Sequence, residues 1–303
     1  MKYSTASTFR IALEQRLQTI AEEKQIPLVR LRKLVVFDRL MARLMVVAPG
    51  RWILKGAVAL NYRTGAQFRT TKDLDIGRKD NEEMATEDFI AVQSLDLEDY
   101  FAFVIERSRE LDPNEEDAAV RYHVTAVIAS RKFDDVRVDV GFTDLINEVP
   151  DMLHGPDLLG FADIVPSEVP ALPLDQHIAE KVHAYTRKYG EDHESSRVKD
   201  LIDSVMISST FGFKAGRLRQ ALRITFSTRA THELPVALPA PPVSWTIPYR
   251  KMADEVGLDQ QIAEGYMQVS AFLDPILSGI VVDDAIWDPA LHMWVAALPG
   301  CKI

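Results

Sequence analysis

Trp52-Ile53-Leu54-Lys55-Gly56-Ala57-Val58-Ala59-Leu60-Asn61-Tyr62-Arg63, followed a few residues later by Arg69-Thr70-Thr71-Lys72-Asp73-Leu74-Asp75-Ile76, decides the fold class of this chain. The first run starts as an apolar extended segment, meets glycine, and continues with the composition of a helix. The second alternates polar and apolar side chains, so a strand there sets Asp73 and Asp75 on one face and Leu74 and Ile76 on the other. The order is strand, glycine turn, helix, strand, and the 17 residues from Gly56 to Asp73 leave room for a single helix between them. Two aspartates at this spacing have Cα atoms roughly 6.6 Å apart, within reach of shared divalent cations. Asp-x-Asp is also common at exposed strand ends, so the tripeptide alone favours the plain reading.

Upstream, residues 8–47 carry apolar side chains mostly three and four apart, and Pro27 divides them into two helices. Downstream, residues 80–98 hold seven acidic side chains and read as a solvated linker with a short helix. Strand-like runs follow at 101–105, 120–128 and 136–142, with turns expected at 112–117 and 131–135, as in an antiparallel meander. From about Pro166 the pattern is helical, with helices expected at 174–189, 196–208, 214–226, 248–256, 258–278 and 282–296. Leu234 to Pro248, five prolines in fifteen residues, reads as an extended strap. The expected architecture is α+β: an α/β lobe over 1–165 and a mainly helical lobe over 166–303.

A third carboxylate raises the value of the first two. In Val136-Arg137-Val138-Asp139-Val140 the valines point one way and Arg137 and Asp139 the other. The plain reading is an ion pair on a wet sheet face, with Arg137 or across strands. The functional one sets Asp139 beside Asp73 and Asp75 as a third metal ligand, with Asp144 as a spare. Gly56, between strand and helix, lets backbone N–H groups approach a phosphate.

Composition bounds the alternatives. The chain has 303 residues, 35 Lys+Arg against 45 Asp+Glu, a net charge of −10 and one cysteine, Cys301. That excludes a disulfide scaffold and a thiol zinc cluster, and the seven histidines show no zinc-binding spacing. No apolar run is long enough for a membrane span and Met1 to Thr5 lack a signal-peptide core, so a cytoplasmic protein without membrane partners is expected. Between 187 and 229, nine basic residues face five acids in a chain that is acidic overall. Such a segment could line an RNA path, or could be dispersed surface charge.

Four ordered stretches carry a resemblance: Leu54 to Leu60, Arg69 to Ile76, Val138 to Asp144, and Lys181-x-x-Ala184 with Arg197-x-x-Asp200-Leu201-x-Asp203. Together they resemble the AbiEii/AbiGii nucleotidyltransferase toxins of type IV toxin–antitoxin systems, the group that includes the MenT toxins. The resemblance implies a DNA polymerase β-like core with a helical C-terminal lobe and transfer of a nucleoside monophosphate from an NTP, with Mg²⁺ or Mn²⁺ as cofactor. It implies an RNA acceptor, the tRNA 3′ end foremost, and growth arrest relieved by a cognate antitoxin, AbiEi-like or other. NMP transfer to a protein or to the toxin itself, and a non-catalytic binder of antitoxin or RNA, are the alternatives. A monomer is favoured.

In this reading Asp73, Asp75 and Asp139 hold metal. Asp73, Asp75, Lys181 and Asp200 are catalytic candidates, and Lys55, Gly56, Ala57, Arg69, Lys72, Lys181 and Asp203 are candidate nucleotide contacts. Ala57 departs from the Gly-Ser of the wider superfamily, which removes one hydroxyl donor to the phosphates.

Overall fold

The computed structural model describes residues 2–65, 68–108, 120–142, 149–188 and 197–296, and the chain divides into two compact units, Met1–Leu172 and Pro173–Ile303. The expected turn at 112–117 and the spare carboxylate Asp144 lie outside the described residues.

The first unit contains, in order, α1 (Ala6–Lys24), α2 (Leu28–Val47), β1 (Ile53–Leu54), α3 (Gly56–Thr64), β2 (Asp73–Arg78), α4 (Glu82–Ser94), β3 (Phe101–Arg107), β4 (Val120–Ile128), β5 (Arg131–Phe142), β6 (Asp151–His154) and β7 (Glu168–Ala171). Thr5 caps α1 by accepting from the Thr8 N–H at 3.2 Å, and Gln25 in left-handed conformation ends it before Pro27. The two helices read from the 8–47 pattern are therefore present.

The seven strands form one mixed sheet in the order β3-β4-β5-β2-β1-β7-β6. β3, β4 and β5 are an antiparallel meander, while β2 lies parallel to β5 and antiparallel to β1. The sheet has two unlike faces. Leu74, Ile76, Val138, Val140, Tyr122 and Val124 are buried in one core cluster with Leu34, Phe37, Met41, Phe89 and Val92 of α2 and α4. The alternate residues Asp73, Asp75, Arg137, Asp139 and Arg121 fall on the other face, as a period of two requires.

Three local expectations change. The acidic stretch 80–98 is mostly the full helix α4, capped by Asn81, because Ala85, Asp88, Phe89 and Val92 form a buried stripe beneath the exposed acids. The β4–β5 connection is a two-residue turn at Ala129-Ser130, with φ of 53° and 59°, so β5 starts at Arg131 and not after Asp135. Backbone at positive φ in both central positions suits the twist of a hairpin, but Ala-Ser lacks the usual Asn-Gly marker. Finally, the helix expected from 174 does start at Leu174, but the chain from Pro166 up to it is not helical: Glu168–Ala171 is a strand that pairs with β6 on one side and β1 on the other.

α2 enters the core carrying cations, and Arg39 and Arg43 there meet carboxylates. Arg43, fully buried, forks onto Asp99 at 3.0 and 2.7 Å, donates to the Phe101 carbonyl at 2.7 Å, and lies over the Phe103 ring. Arg39 pairs with Asp38, whose other oxygen accepts from the Ser167 N–H and hydroxyl at 2.8 and 2.7 Å. These bonds tie α2 to both β3 and the approach to β7.

The second unit contains α5 (Leu174–Thr186), α6 (Val198–Thr210), β8 (Phe213–Lys214), α7 (Ala215–Arg229), α8 (Thr246–Val256), α9 (Ile262–Leu277), β9 (Ile286–Asp288) and β10 (Met293–Val295). The helix expected at 282–296 is instead a hairpin that joins β8 in a three-stranded sheet. Trp287 and Trp294 both pack on Phe272 of α9, and Asp288 accepts the Ala290 and Leu291 N–H groups to close the turn. Packing two indoles, Trp287 buried and Trp294 half-buried, on one phenylalanine outweighs the helical spacing of the segment. The strap is extended only until about Pro242, where a short 3₁₀ turn leads into α8.

A histidine pair closes the end of α5. Thr231 Oγ1 meets His183 Nε2 at 2.8 Å and His232 Nδ1 at 2.9 Å, and Thr186 Oγ1 meets His232 Nε2 at 2.8 Å. Burial first, and the Arg187 charge second, lower the His232 pKa below its usual 6.5. The fold therefore favours the neutral ring, whose stabilisation is complete above about pH 6.5 and declines as pH falls from there toward the depressed folded value. Melting the wild type and His232→Gln at pH 7.5 and 5.5 should show the larger acid-dependent drop in the wild type.

In the first unit, Arg43→Met should destabilise by about 3 kcal/mol by leaving a buried carboxylate short of its partner, with Arg39 at 3.7 Å retaining a share. The loss should be read as a matching fall in amide-exchange protection of α2 and β3.

Candidate active site

The parallel pairing of β2 with β5 sets Asp75 directly opposite Asp139 and Asp73 opposite Arg137. On the far side of β5, β4 sets Arg121 opposite Asp139 and His123 opposite Arg137. In-register residues point to the same side of a sheet, so Arg121, Asp139 and Asp75 make one row across three strands. His123, Arg137 and Asp73 make the next. Past β2, the Lys55 N–H donates to the Asp75 carbonyl at 2.9 Å, which brings the start of α3 to the end of the first row.

The carboxylates expected to converge thus share one face and adjacent positions. Two of the three side chains are held by arginines. Arg121 forks onto Asp139, with Nε 2.6 Å from Oδ1 and Nη2 2.9 Å from Oδ2, and Arg137 Nε donates to Asp73 Oδ1 at 2.6 Å. Both the cross-strand ion pairs of the plain reading and the shared face of the functional one are therefore present. Among the described residues, no three His, Cys, Asp or Glu side chains are grouped so as to hold a metal ion as they stand. Asp139 is the most enclosed of the three, 8 % exposed, while Asp73 and Asp75 are half-buried.

Gly56 is required at this place twice over. Its φ is +60°, and a Cβ built on it would overlap the Asp75 carboxylate, so the backbone at the first turn of α3 packs directly on that group. A carboxylate there is favoured by the positive end of the helix. The turn is held from behind by Asn61, whose amide donates to the Ala57 carbonyl at 2.9 Å and the Arg69 carbonyl at 3.1 Å, and Thr70 accepts from Arg30 at 3.0 Å. Lys55, Arg69 and Gly56 are partly exposed, Lys72 is exposed, and Ala57 is buried. The hard oxygen donors of this face are of the kind that suits a divalent cation of the Mg²⁺ type.

In the second unit, α5 and α6 bring Lys181 against Asp203 at 2.6 Å and Asp200 at 3.3 Å. Asp200 and Asp203 are buried, Asp203 fully, and so do not lie on a solvated polar helix face. One ammonium serves two carboxylates, and no donor among the described residues reaches Asp200 Oδ2. The basic stretch of 187–229 is partly neutralised within this unit: Arg217 pairs with Asp175 at 3.1 Å, Arg229 with Glu180 at 3.9 Å, and Arg219 with Asp283. Arg121 was not singled out from the sequence. The alternation of Val120-Arg121-Tyr122-His123 signals its face, but only the register shows its partner.

The sequence matches the family described as nucleotidyl transferase AbiEii toxin, type IV TA system, over residues 39–272. No curated protein matches it. Among solved structures, MenT4, a nucleotidyltransferase toxin from Mycobacterium tuberculosis H37Rv, is similar at a TM-score of 0.54 and 16 % identity, covering 82 % of this chain and 84 % of that one. A putative nucleotidyltransferase from H. pylori matches at 0.39 and 14 % identity, covering 86 % and 88 %, and JHP933 from Helicobacter pylori at 0.43 and 13 %, covering 82 % and 90 %. At these identities the likeness to MenT4 bears on the fold.

Two glycine substitutions separate the contact with Asp75 from backbone strain. Gly65 also has positive φ, +64°, but nothing lies near where its Cβ would be. Gly65→Ala should lower stability by about 1 kcal/mol. Gly56→Ala should lower it by about 2–3 kcal/mol, because it must also displace the carboxylate. Chemical denaturation of both variants checks the difference, and equal losses would contradict the contact.

Proposed function

The chain belongs to the AbiEii nucleotidyltransferase toxin family of type IV toxin–antitoxin systems, and on that premise we propose that it moves NMP from an NTP onto an RNA end, the tRNA 3′ terminus foremost, and so blocks translation. The observation that carries the reading is the in-register row that sets Asp75 opposite Asp139, with Asp73 two residues along the same face and the Gly56 turn beside it. Asp73, Asp75 and Asp139 would hold Mg²⁺. Bound there, the metal supplies charge neutralisation at the phosphates and lowers the pKa of the attacking hydroxyl.

The acceptor hydroxyl oxygen bonds to the α-phosphorus, the bond from that phosphorus to the bridging oxygen of the β-phosphate breaks, the hydroxyl proton is lost to solvent, and pyrophosphate leaves. The rigid sheet fixes the carboxylates that would hold the metal, to which the triphosphate would be drawn, and holding two reactants in line accounts for much of such a rate. Gly56 keeps the backbone close without a side chain in the way, which compensates for the missing hydroxyl at Ala57. Lys55, Arg69 and Lys72 flank the same turn and are proposed contacts for the nucleotide. Lys181 is assigned to triphosphate binding by its motif, with Asp200 as a catalytic candidate and Asp203 as a nucleotide contact, and for that part its ammonium would have to exchange carboxylate oxygens for phosphate oxygens. The setting is the cytoplasm, as a monomer, with a cognate antitoxin as the restraining partner.

Purified protein incubated with total RNA, Mg²⁺ and each α-labelled NTP in turn should label one RNA size class, whose added nucleotide 3′-end sequencing then identifies. Asp75→Asn should lower labelling by more than about a hundredfold while its melting curve stays cooperative. Label that survives RNase and is lost to protease would replace the RNA acceptor with a protein one. An unimpaired Asp75→Asn would refute the site.

A further inference from the structure

Asp139 sits on β5 between two strands that make opposite demands on it. On its β4 side is Arg121, and on its β2 side is Asp75, both in register with it. It faces the β4 side: both carboxylate oxygens accept from the Arg121 fork, at 2.6 and 2.9 Å. We propose that Arg121 is a positioning residue that holds Asp139 in a resting orientation, and that a divalent cation binds only by drawing Asp139 off this fork toward Asp75, so that Arg121 sets the metal affinity of the face.

Like charge forces some such device. Asp73, Asp75 and Asp139 on neighbouring positions repel one another, and in the metal-free protein the repulsion has to be answered by cations built into the fold. Arginine suits the task because its guanidinium stays charged at all working pH values and matches a carboxylate with two parallel bonds. The Arg121 and Asp139 side chains are 12 % and 10 % exposed, so water screens their attraction little. Arg137 answers Asp73 in the same way, but with side chains 42 % and 26 % exposed its hold is looser. The stronger restraint therefore falls on the carboxylate that has to turn.

A structural salt bridge alone makes a different prediction from a restraint that competes with metal. If Arg121 only braced the sheet, or if it oriented Asp139 for the metal, its removal would leave metal affinity unchanged or weaken it. If it competes, removal should tighten binding. The inference rests on the proposal that Asp75 and Asp139 hold a divalent cation, and the experiment tests the two separately.

Mn²⁺ binding to the full-length protein, followed by loss of the free-ion EPR signal without nucleotide, should be compared in wild type, Arg121→Gln, Arg121→Lys and Asp75→Asn. Arg121→Gln should bind about tenfold tighter than wild type, a shift of about 1.4 kcal/mol. Arg121→Lys, which keeps the charge and loses the fork, should fall between, and it decides the matter if the glutamine variant does not fold. In EDTA, Arg121→Gln should melt below wild type, and the gap should close at saturating Mn²⁺. Unchanged or weaker Mn²⁺ binding in the Arg121 variants, with binding lost in Asp75→Asn, would overturn the inference and leave the metal site standing. Binding by Asp75→Asn equal to that of wild type would overturn both.

Discussion

Two carboxylates placed opposite each other on adjacent parallel strands are a liability unless something positive is near, and the pairing of β2 with β5 creates that situation at Asp75 and Asp139. The surrounding arrangement answers it. β4 supplies Arg121, β5 itself supplies Arg137, and the first turn of α3 brings its positive end and the bare backbone of Gly56 against Asp75. In the proposed function metal and triphosphate would meet at this face, which holds its negative charge in neutralised form.

The opposite face of the same sheet makes the storage affordable in structural terms. Leu74, Ile76, Val138 and Val140 are buried with α2 and α4, so strands whose odd positions carry charge are anchored by their even ones. The anchoring helix is itself unusual in carrying buried arginines. Arg43 reaches Asp99 and the Phe101 carbonyl, while Asp38 accepts from Ser167 and Arg39 donates to the Val165 carbonyl, so α2 is pinned to the start of β3 and to the approach to β7. Buried pairs of this kind add less net stability than their geometry suggests, but removing one partner is severe, which gives a single arrangement of α2 over the sheet. The carboxylate face thereby rests on a fixed floor.

Several elements were legible without coordinates because they depend on neighbours in sequence. Pro27 splits α1 from α2, Gly56 separates β1 from α3, and the alternation of Asp73 to Ile76 and Val136 to Val140 sorts charge from core. The misread elements share a different cause. α4 was read as only a short helix because the acids of 80–98 masked the buried stripe of Ala85, Phe89 and Val92, and the hairpin of β9 and β10 was read as helix because Trp287 and Trp294 find Phe272, a residue more than a dozen positions away. β7 belongs to the first unit through pairing with β1, more than a hundred residues earlier. Long-range burial decided each of these against the local pattern.

For the candidate site the division is sharper. A period of two in a strand is a property of the backbone, so the sequence alone determined that Asp73 and Asp75 share a face and that Asp139 opposes its flanking valines, and its ordered motifs marked the family. Which cation meets which carboxylate depended on the register of β4 on β5 and of β5 on β2, contacts between segments 18 and 64 residues apart. Only the tertiary structure could decide that Asp139 answers to Arg121 and Asp73 to Arg137, and that Lys181 is shared by Asp200 and Asp203, because charge pairing is set by distance in space and spacing along a chain does not encode it.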